Sequence, residues 1–405
     1  MTFGAIQRKM LPKRVFRGFV GATALAAAFG CCASEVVRIP IKKKGAGPLF
    51  QIHYGKKWGY INRNGKAAIT PQFDDERDFF SGLAAVRQNR KWGYINERGE
   101  VAIPYQFDDA GDFQEGLAPV RLDRRWGFID ATGKPVIRPQ FEAVAVFSGG
   151  LARFEAWDTI SCDSLSPGQR ATVYSKDDAP PLAFRLHDPA ALGIAGCFPQ
   201  GLRYGFVDKS GNVVIEPRLV DADDFSEGLA AVRTEDSQAK YGYIDQGGKM
   251  VIQPRFVQAY AFSEGLAAVE VPDGAESRGR WGFIGRTGRL EIPMQFGDAQ
   301  SFSEGLAAVQ FPDGLWGYVD KRGAVTIAPR YSRGNPFSEG LASVWPEDEI
   351  GGYYIDKTGR KALVIKLWPQ WSFSDGLTVA GQPSEQKYVN RKGEVVAPYE
   401  VDPDF

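Results

Sequence analysis

Apolar residues in this chain come in short runs rather than at helical spacing. From residue 47 onward they are either continuous, as in Gly82-Leu83-Ala84-Ala85-Val86, or alternate between large and small, as in Trp58-Gly59-Tyr60-Ile61. Clusters of Gly, Pro, Asn and Asp bound each run. Such a pattern predicts many short strands separated by tight turns. No long stretch outside the first thirty residues carries the 3.6-residue period of an amphipathic helix.

The runs repeat. Trp58-Gly59-Tyr60-Ile61-Asn62 returns as Trp92-Gly93-Tyr94-Ile95-Asn96 and as Trp126-Gly127-Phe128-Ile129-Asp130, with later forms starting at Tyr204, Tyr241, Trp281 and Trp316. Worn forms follow at Gly352-Tyr353-Tyr354-Ile355-Asp356 and at Tyr388-Val389-Asn390, where Gly352 and Gln386 replace Trp. Most offsets are 34 to 37 residues; one is 40, and the step from Trp126 to Tyr204 is 78. A period in this range means stacked or radially arranged supersecondary units.

Four parts make up a unit. The first is Gly-Leu-Ala-x-Val, from Gly82, Gly116, Gly150, Gly228, Gly265, Gly305, Gly340 and Gly376, with residues 47–52 as a worn first copy. Its small side chains predict a strand buried on both faces. The second is the Trp-Gly-Tyr-Ile strand, antiparallel to the first, with Trp58 and Tyr60 on one face and Gly59 and Ile61 on the other. Its glycine is expected to make room for a ring or backbone of the adjacent unit. The third is a turn with Asn or Asp first and Gly three residues later, as in Asn62 to Gly65 or Asp208 to Gly211, which is type I turn chemistry. The fourth is a loop opening on Ile-x-Pro-x-Phe, where proline is expected to end the strand, and closing on Phe-Ser-Glu-Gly.

These parts predict an all-β chain: a tandem array of about nine short three-stranded units. No unit of that size buries its own apolar faces, so neighbours must cover them. An open curved solenoid of hairpins is the preferred arrangement, because propeller blades usually have four strands. The alternative is a closed β-propeller in which residues 47–52 pair with the C-terminus.

Length and composition fit this picture. A 405-residue chain with 43% hydrophobic residues, 47 Gly and 25 Pro affords a core and many turns. Its formal charge is zero, but the first thirty residues hold Arg8, Lys9, Lys13, Arg14 and Arg17 and no acid. Without them 44 basic residues face 49 acidic ones, so the body has no general attraction to nucleic acid. That basic stretch precedes the apolar run from Gly18 to Gly30, the order of an export signal. Ala28-Phe29-Gly30-Cys31 resembles a lipobox, with Cys31 as the lipidation site; cleavage after Cys31-Cys32-Ala33, or an uncleaved anchor, are the alternatives. The chain divides into a leader (1–33), a linker (34–46), repeats (47–156), an insertion (157–200), and repeats with a C-terminal cap (201–405). Cys162 and Cys197 both lie in the insertion and are expected to form a disulfide in an oxidising compartment, two free thiols being the alternative.

Candidate chemistry is sparse. Glu115, Glu227, Glu264, Glu304 and Glu339, with Asp375 equivalent, recur once per repeat; they read as turn acids accepting loop N–H groups, or as a row of carboxylates for a cation or basic peptide. The turn aspartates lack the dense oxygen ligands of a calcium loop. The Trp and Tyr set reads as packing between units rather than a stacking surface for ligands. His53 and His187 have no metal-ligand spacing, and no cofactor motif is found. Ser164, Ser166 and His187 make no recognisable triad.

In order, Gly-Leu-Ala-x-Val, Trp-Gly-Tyr-Ile-Asp-x-x-Gly, Ile-x-Pro-x-Phe and Phe-x-Glu-Gly resemble the bacterial WG-repeat (KWG-repeat) family, with Lys57-Trp58-Gly59 and Lys91-Trp92-Gly93 matching its name. The resemblance spans about residues 47–401, interrupted by the insertion. It implies a β-structured, often exported repeat array and no catalytic residues. The expected function is an exported scaffold, periplasmic or anchored at the outer membrane through Cys31, with secretion as the alternative, that binds a protein or envelope component through the insertion. A hydrolase or ligand-processing enzyme with its site at the insertion is the alternative.

Overall fold

The computed structural model describes residues 48–157, 202–272, 279–347, 351–365, 372–381, 386–398 and 400–401. These residues form nine successive units of short antiparallel strands. Unit 2 shows the full plan: Asp75–Glu76, Leu83–Gln88, Lys91–Asn96 and Val101–Phe107, hydrogen-bonded in that order. Three of these strands were expected. The fourth, Asp75–Glu76, is only two residues long and has a counterpart in each of units 2 to 7. It exists because the chain leaves the preceding unit already extended. In units 7 and 8 the two pieces are one strand, Val325–Gly334, which pairs with Trp316–Asp320 and then with Ala342–Pro346. In unit 1 the fourth place is taken by Glu400–Val401, parallel to His53–Tyr54.

The proline does not end its strand. Trp58 pairs with Phe73 and Tyr60 with Ile69, so Gly59 alone lies opposite Thr70-Pro71-Gln72. The same offset recurs through unit 7. Pro71 thus sits in a bulge, where a missing N–H costs no ladder bond. This bulge also explains the glycine of Trp-Gly. A Cβ on Gly59 would stand 2.5 Å from the Ile69 carbonyl oxygen, and one on Gly127 2.4 Å from that of Ile137. The close approach comes from the same unit's third strand, not from the neighbour as expected.

Both faces of every sheet are covered. Ala84, Ala85 and Val86 are at most 1% exposed. Side chains sort by parity along the strand: Trp92 and Tyr94 pack towards unit 3, whereas Ile95 packs back towards unit 1. Eight of the buried hydrophobic clusters among the described residues draw on two consecutive units, and the ninth joins unit 9 to unit 1. One ring contact recurs at each step. The third residue of Trp-Gly-Tyr meets, edge to face, the Phe nineteen residues on. Tyr60–Phe79, Phe128–Phe147, Phe206–Phe225, Phe283–Phe302 and Tyr354–Phe373 have centroids 4.8–4.9 Å apart. Where the residue is Tyr, its hydroxyl often also donates to a carbonyl of the next unit, as Tyr94 does to Gly111 (2.8 Å) and Tyr243 to Tyr260 (2.8 Å).

The last unit uses the same device on the first. Tyr388 donates to the Gln51 carbonyl (2.8 Å) and its ring meets Phe50 at 5.7 Å. Leu377, Val379, Tyr388 and Ala397 share a cluster with Ile52 and Ile61. The all-β array of about nine units is therefore present. Its unit-to-unit contacts are those of the closed alternative, not the preferred open array; that preference rested on three strands per unit, and the short fourth strand removes its basis.

Two substitutions test the packing. Gly93→Ala drives a methyl to 2.6 Å from the Ile103 carbonyl oxygen and should cost about 2 kcal/mol or more. Tyr243→Phe removes the hydroxyl's hydrogen bond to the Tyr260 carbonyl across the interface and should cost about 1 kcal/mol. Urea unfolding of both variants measures these losses.

Candidate functional site

Strand register defines two opposite rims. Leu83 pairs with Asn96, so the Phe-x-x-Gly turn that opens one strand and the Asx-x-x-Gly turn that closes its partner lie at the same end. At the other end Gln88 pairs with Lys91 across a two-residue hairpin. About 20 Å of strand separates the two ends.

The turn rim repeats one four-residue turn in each of the nine units. Asn62 Oδ1 accepts the N–H groups of Asn64 and Lys66, and Gly65, at φ +77°, donates to the Asn62 carbonyl. Asp208 and Asp356 do the same in their units. These side chains are occupied by the turn, as their spacing predicts. The recurrent glutamates are not gathered into one site. Each accepts the glycine N–H of the next unit: Glu115 from Gly150 (3.0 Å), Glu227 from Gly265 (3.0 Å), Glu264 from Gly305 (3.0 Å), Glu304 from Gly340 (2.9 Å) and Glu339 from Gly376 (2.9 Å). The preceding serine reaches the same neighbour, as Ser226 Oγ does to the Phe262 carbonyl (2.7 Å). A lysine after the next unit's Asx completes the clasp: Lys209–Glu115, Lys321–Glu264 and Lys357–Glu304 at 3.0–3.2 Å. Where the glutamate is missing, so is the cation: Ser81 and Gly149 would meet Ala131 and Gln246.

The hairpin rim carries the variation in length. Units 1 to 3 have two-residue tips, Gly55-Lys56, Asn89-Arg90 and Asp123-Arg124. The last two are left-handed at both positions, the mirror-image turn that suits a twisted hairpin. Unit 4 replaces the tip by residues 158–201, leaving from Trp157 and returning at Leu202, which pair with each other. Unit 5 has a 3₁₀ turn at Glu235–Ser237, and unit 7 a turn closed by Gly314 on the Phe311 carbonyl. Charge is divided along this rim. Lys57–Asp74 (2.7 Å), Lys91–Asp108 (2.6 Å) and Arg125–Glu142 are ion pairs at its base. The Lys57 ammonium, hydrogen-bonded to Asp74, holds that carboxyl below the usual carboxylate range, and Lys91 does the same to Asp108. Beyond them Lys56, Arg90 and Arg124 point into solvent on three successive units, whereas Glu235, Asp236, Asp313 and Glu347 are exposed at the tips of units 5, 7 and 8.

Trp92, Trp281 and Trp316 are buried. The guanidinium groups of Arg77 and Arg87 lie 5.3 and 5.8 Å from the Trp92 ring centroid, so this ring is a packing element. Cys31, Cys162, Cys197, Ser164, Ser166 and His187 lie outside the described residues, as do the leader and linker boundaries and most of the insertion. His53 packs on Trp58, with ring centroids 4.5 Å apart. Among the described residues no three His, Cys, Asp or Glu side chains are placed to hold a metal ion.

Sequence reasoning passes over one group of acids. Glu76, Asp78 and Asp112 lie where units 1, 2 and 3 meet, around Arg77. Burial pushes the Glu76 carboxyl up to about 9, and its Oε2 has no hydrogen-bond partner. Burial likewise raises Asp112 to about 7. Desolvation raises the Asp78 carboxyl as well, and it accepts a hydrogen bond from Gln51 (3.0 Å). The signal was present: Glu76 occupies a column held by Ala110, Val144, Ala222, Ala259 and Ala299 in other units.

With this geometry established, the model of the WG containing repeat family matches residues 58–92, 92–125, 126–155, 204–236, 241–273, 281–315 and 316–344. Together these stretches exceed half of the chain, and the protein belongs to that family. Units 8 and 9, beyond the last match, are recognised by Tyr354 and Tyr388 repeating the ring contact. No curated protein matches the chain. Among solved structures it aligns with "The crystal structure of BamB from Moraxella catarrhalis" at 11% identity, over 75% of this chain and 90% of that one, with a TM-score of 0.38. It aligns with "Crystal structure of the eukaryotic initiation factor" at 13% identity, over 78% and 93%, also at 0.38. A computationally designed protein, Ika4, aligns at 14% identity over 33% and 87%, at 0.22.

Glu76 gives a pH prediction. The folded state holds this proton more tightly than the unfolded chain, whose carboxyl titrates near 4.5. The site's contribution is therefore complete below about pH 4.5 and is lost as pH rises towards 9. Glu76→Ala, which restores the residue of the other units, should stabilise the protein by about 1–3 kcal/mol at pH 8 and by less at pH 5. Chemical denaturation at the two pH values checks the difference.

Proposed function

We propose that the protein is an exported binding scaffold, without catalysis, whose hairpin rim engages a protein or cell-envelope partner. One observation carries this reading: the turn rim repeats the same four-residue turn in every unit, whereas tip length and tip charge vary from unit to unit at the hairpin rim. Loops on a rigid repeat frame are where specificity is placed, and insertions gathered on one face of an array point to that face. The insertion between Trp157 and Leu202 is its largest element, closed by a Cys162–Cys197 disulfide in this proposal. The order of basic stretch, apolar run and Cys31 supports export, with lipidation at Cys31 as the means of anchoring.

Deletion of residues 158–199 should abolish capture of the partner from an envelope extract while leaving cooperative unfolding intact. Charge reversal at Lys56, Arg90 and Arg124 should weaken capture and reduce its salt dependence. Undiminished capture by both variants would remove the hairpin rim from consideration. Turnover in a hydrolase screen, lost on point substitution within 158–199, would replace the scaffold by an enzyme. Globomycin sensitivity of processing tests lipidation at Cys31.

A further inference from the structure

Along the turn rim the clasp has three parts: a carboxylate from one unit, a glycine N–H from the next, and the cation that follows the next unit's Asx. Glu339, Gly376 and Arg391 make the last complete set; Gly376 donates to Glu339, and the Arg391 guanidinium to the Glu339 carbonyl at 2.7 Å. The step from unit 9 to unit 1 keeps only the cation. Arg63 follows Asn62, with Nε 3.4 Å from the point where a Cβ on Gly376 would stand. Asp375 holds the glutamate position and is one methylene shorter. Pro48 precedes Leu49 as Gly82 precedes Leu83, and proline has no N–H to give. No ion pair or hydrogen bond joins Asp375 to Arg63 among the described residues. Cavities flank Arg63 on two sides: one of about 400 Å³ lined by Arg63, Glu339, Gly376 and Arg391, and one of about 280 Å³ lined by Pro48, Asn62, Arg63 and Asn64.

We propose that this seam is a carboxylate-binding site, in which Arg63 receives from an external ligand the group that a glutamate supplies at the other clasps. A planar guanidinium matches a carboxylate through two parallel N–H···O bonds. The Asn62 turn fixes the backbone that carries Arg63, so binding orders only its side chain. Arg391 presents a second guanidinium across the larger cavity. Glu339 on the cavity wall and Asp375 beside it disfavour a doubly charged phosphate more than a singly charged carboxylate. A ligand held by Arg63 of unit 1 and Arg391 of unit 9 also ties the last unit to the first. This site lies on the turn rim and does not depend on the partner proposed for the hairpin rim.

The test uses thermal unfolding of the full chain with sodium propionate, which copies the end of a glutamate side chain, against sodium phosphate and sodium chloride at matched ionic strength. Propionate should raise the Tm saturably. Arg63→Ala should weaken the apparent affinity about tenfold or more, and Arg63→Lys, which keeps the charge but loses the fork, should fall between. Arg63 is exposed, so both variants should match the wild type in far-UV circular dichroism. Asp375→Glu should raise the Tm without ligand and remove the propionate response. A wild-type response in Arg63→Ala or Asp375→Glu overturns the proposal, as does an Arg63-dependent phosphate shift larger than that of propionate, or no saturable shift with any anion.

Discussion

Everything in this chain rests on one contact: an aromatic ring of one unit set edge-on against the Phe nineteen residues later. A sheet of three or four short strands has two apolar faces and no means of burying either. The ring contact gives each face a partner of fixed geometry. Parity along the strand then sends Tyr forward and Ile backward, so a single strand is shared by two interfaces. The remaining letters of the repeat serve this contact. Glycine admits the proline bulge, the bulge brings Phe73 opposite Trp58, and the serine and glutamate of the closing turn bond to the unit onto which the ring has packed.

The two rims differ because this constraint acts on them unequally. At the turn rim a backbone carbonyl, a glycine N–H and a carboxylate from adjacent units meet within hydrogen-bond distance, and a change at one place strands its partner. The paired loss of acid and cation at Ser81 with Ala131, and at Gly149 with Gln246, follows from that. At the hairpin rim the contacts of the tips differ from unit to unit: Asn89 and Asp123 donate their N–H groups to Asp74 and Asp108, whereas Glu235 pairs with Arg203 of the preceding unit. Length and charge are free to vary there. Glu76 shows the opposite case, a charge-bearing side chain in a column that packing reserves for small residues.

Much of the fold was legible because the repeat displays its own physics. Runs such as Leu83 to Val86 could only be doubly buried strands, and Asn62 to Gly65 could only be a turn. Three things were not legible, each for a stated reason. The short strand at Asp75–Glu76 carries no apolar pattern, being two residues paired by geometry alone. The meaning of Gly59 depends on a bulge that appears only once Trp58 and Phe73 are aligned. Closure depends on Tyr388 meeting Gln51 across the length of the chain, which no local pattern encodes. The roles of Glu115, Glu227, Glu264, Glu304 and Glu339 were legible as to kind, an acid accepting loop N–H groups, but not as to partner, since each reaches the following unit.

Closure is the central claim, and amide hydrogen exchange on Tyr388→Ala tests it most directly. The substitution removes the hydroxyl bonded to the Gln51 carbonyl and the ring packed on Phe50. Closure predicts that protection falls in Leu49–Tyr54 and Lys57–Asn62 of unit 1 as well as in the substituted unit, while units 4 to 6 keep theirs. Loss of protection confined to units 8 and 9, with unit 1 unchanged, would contradict it.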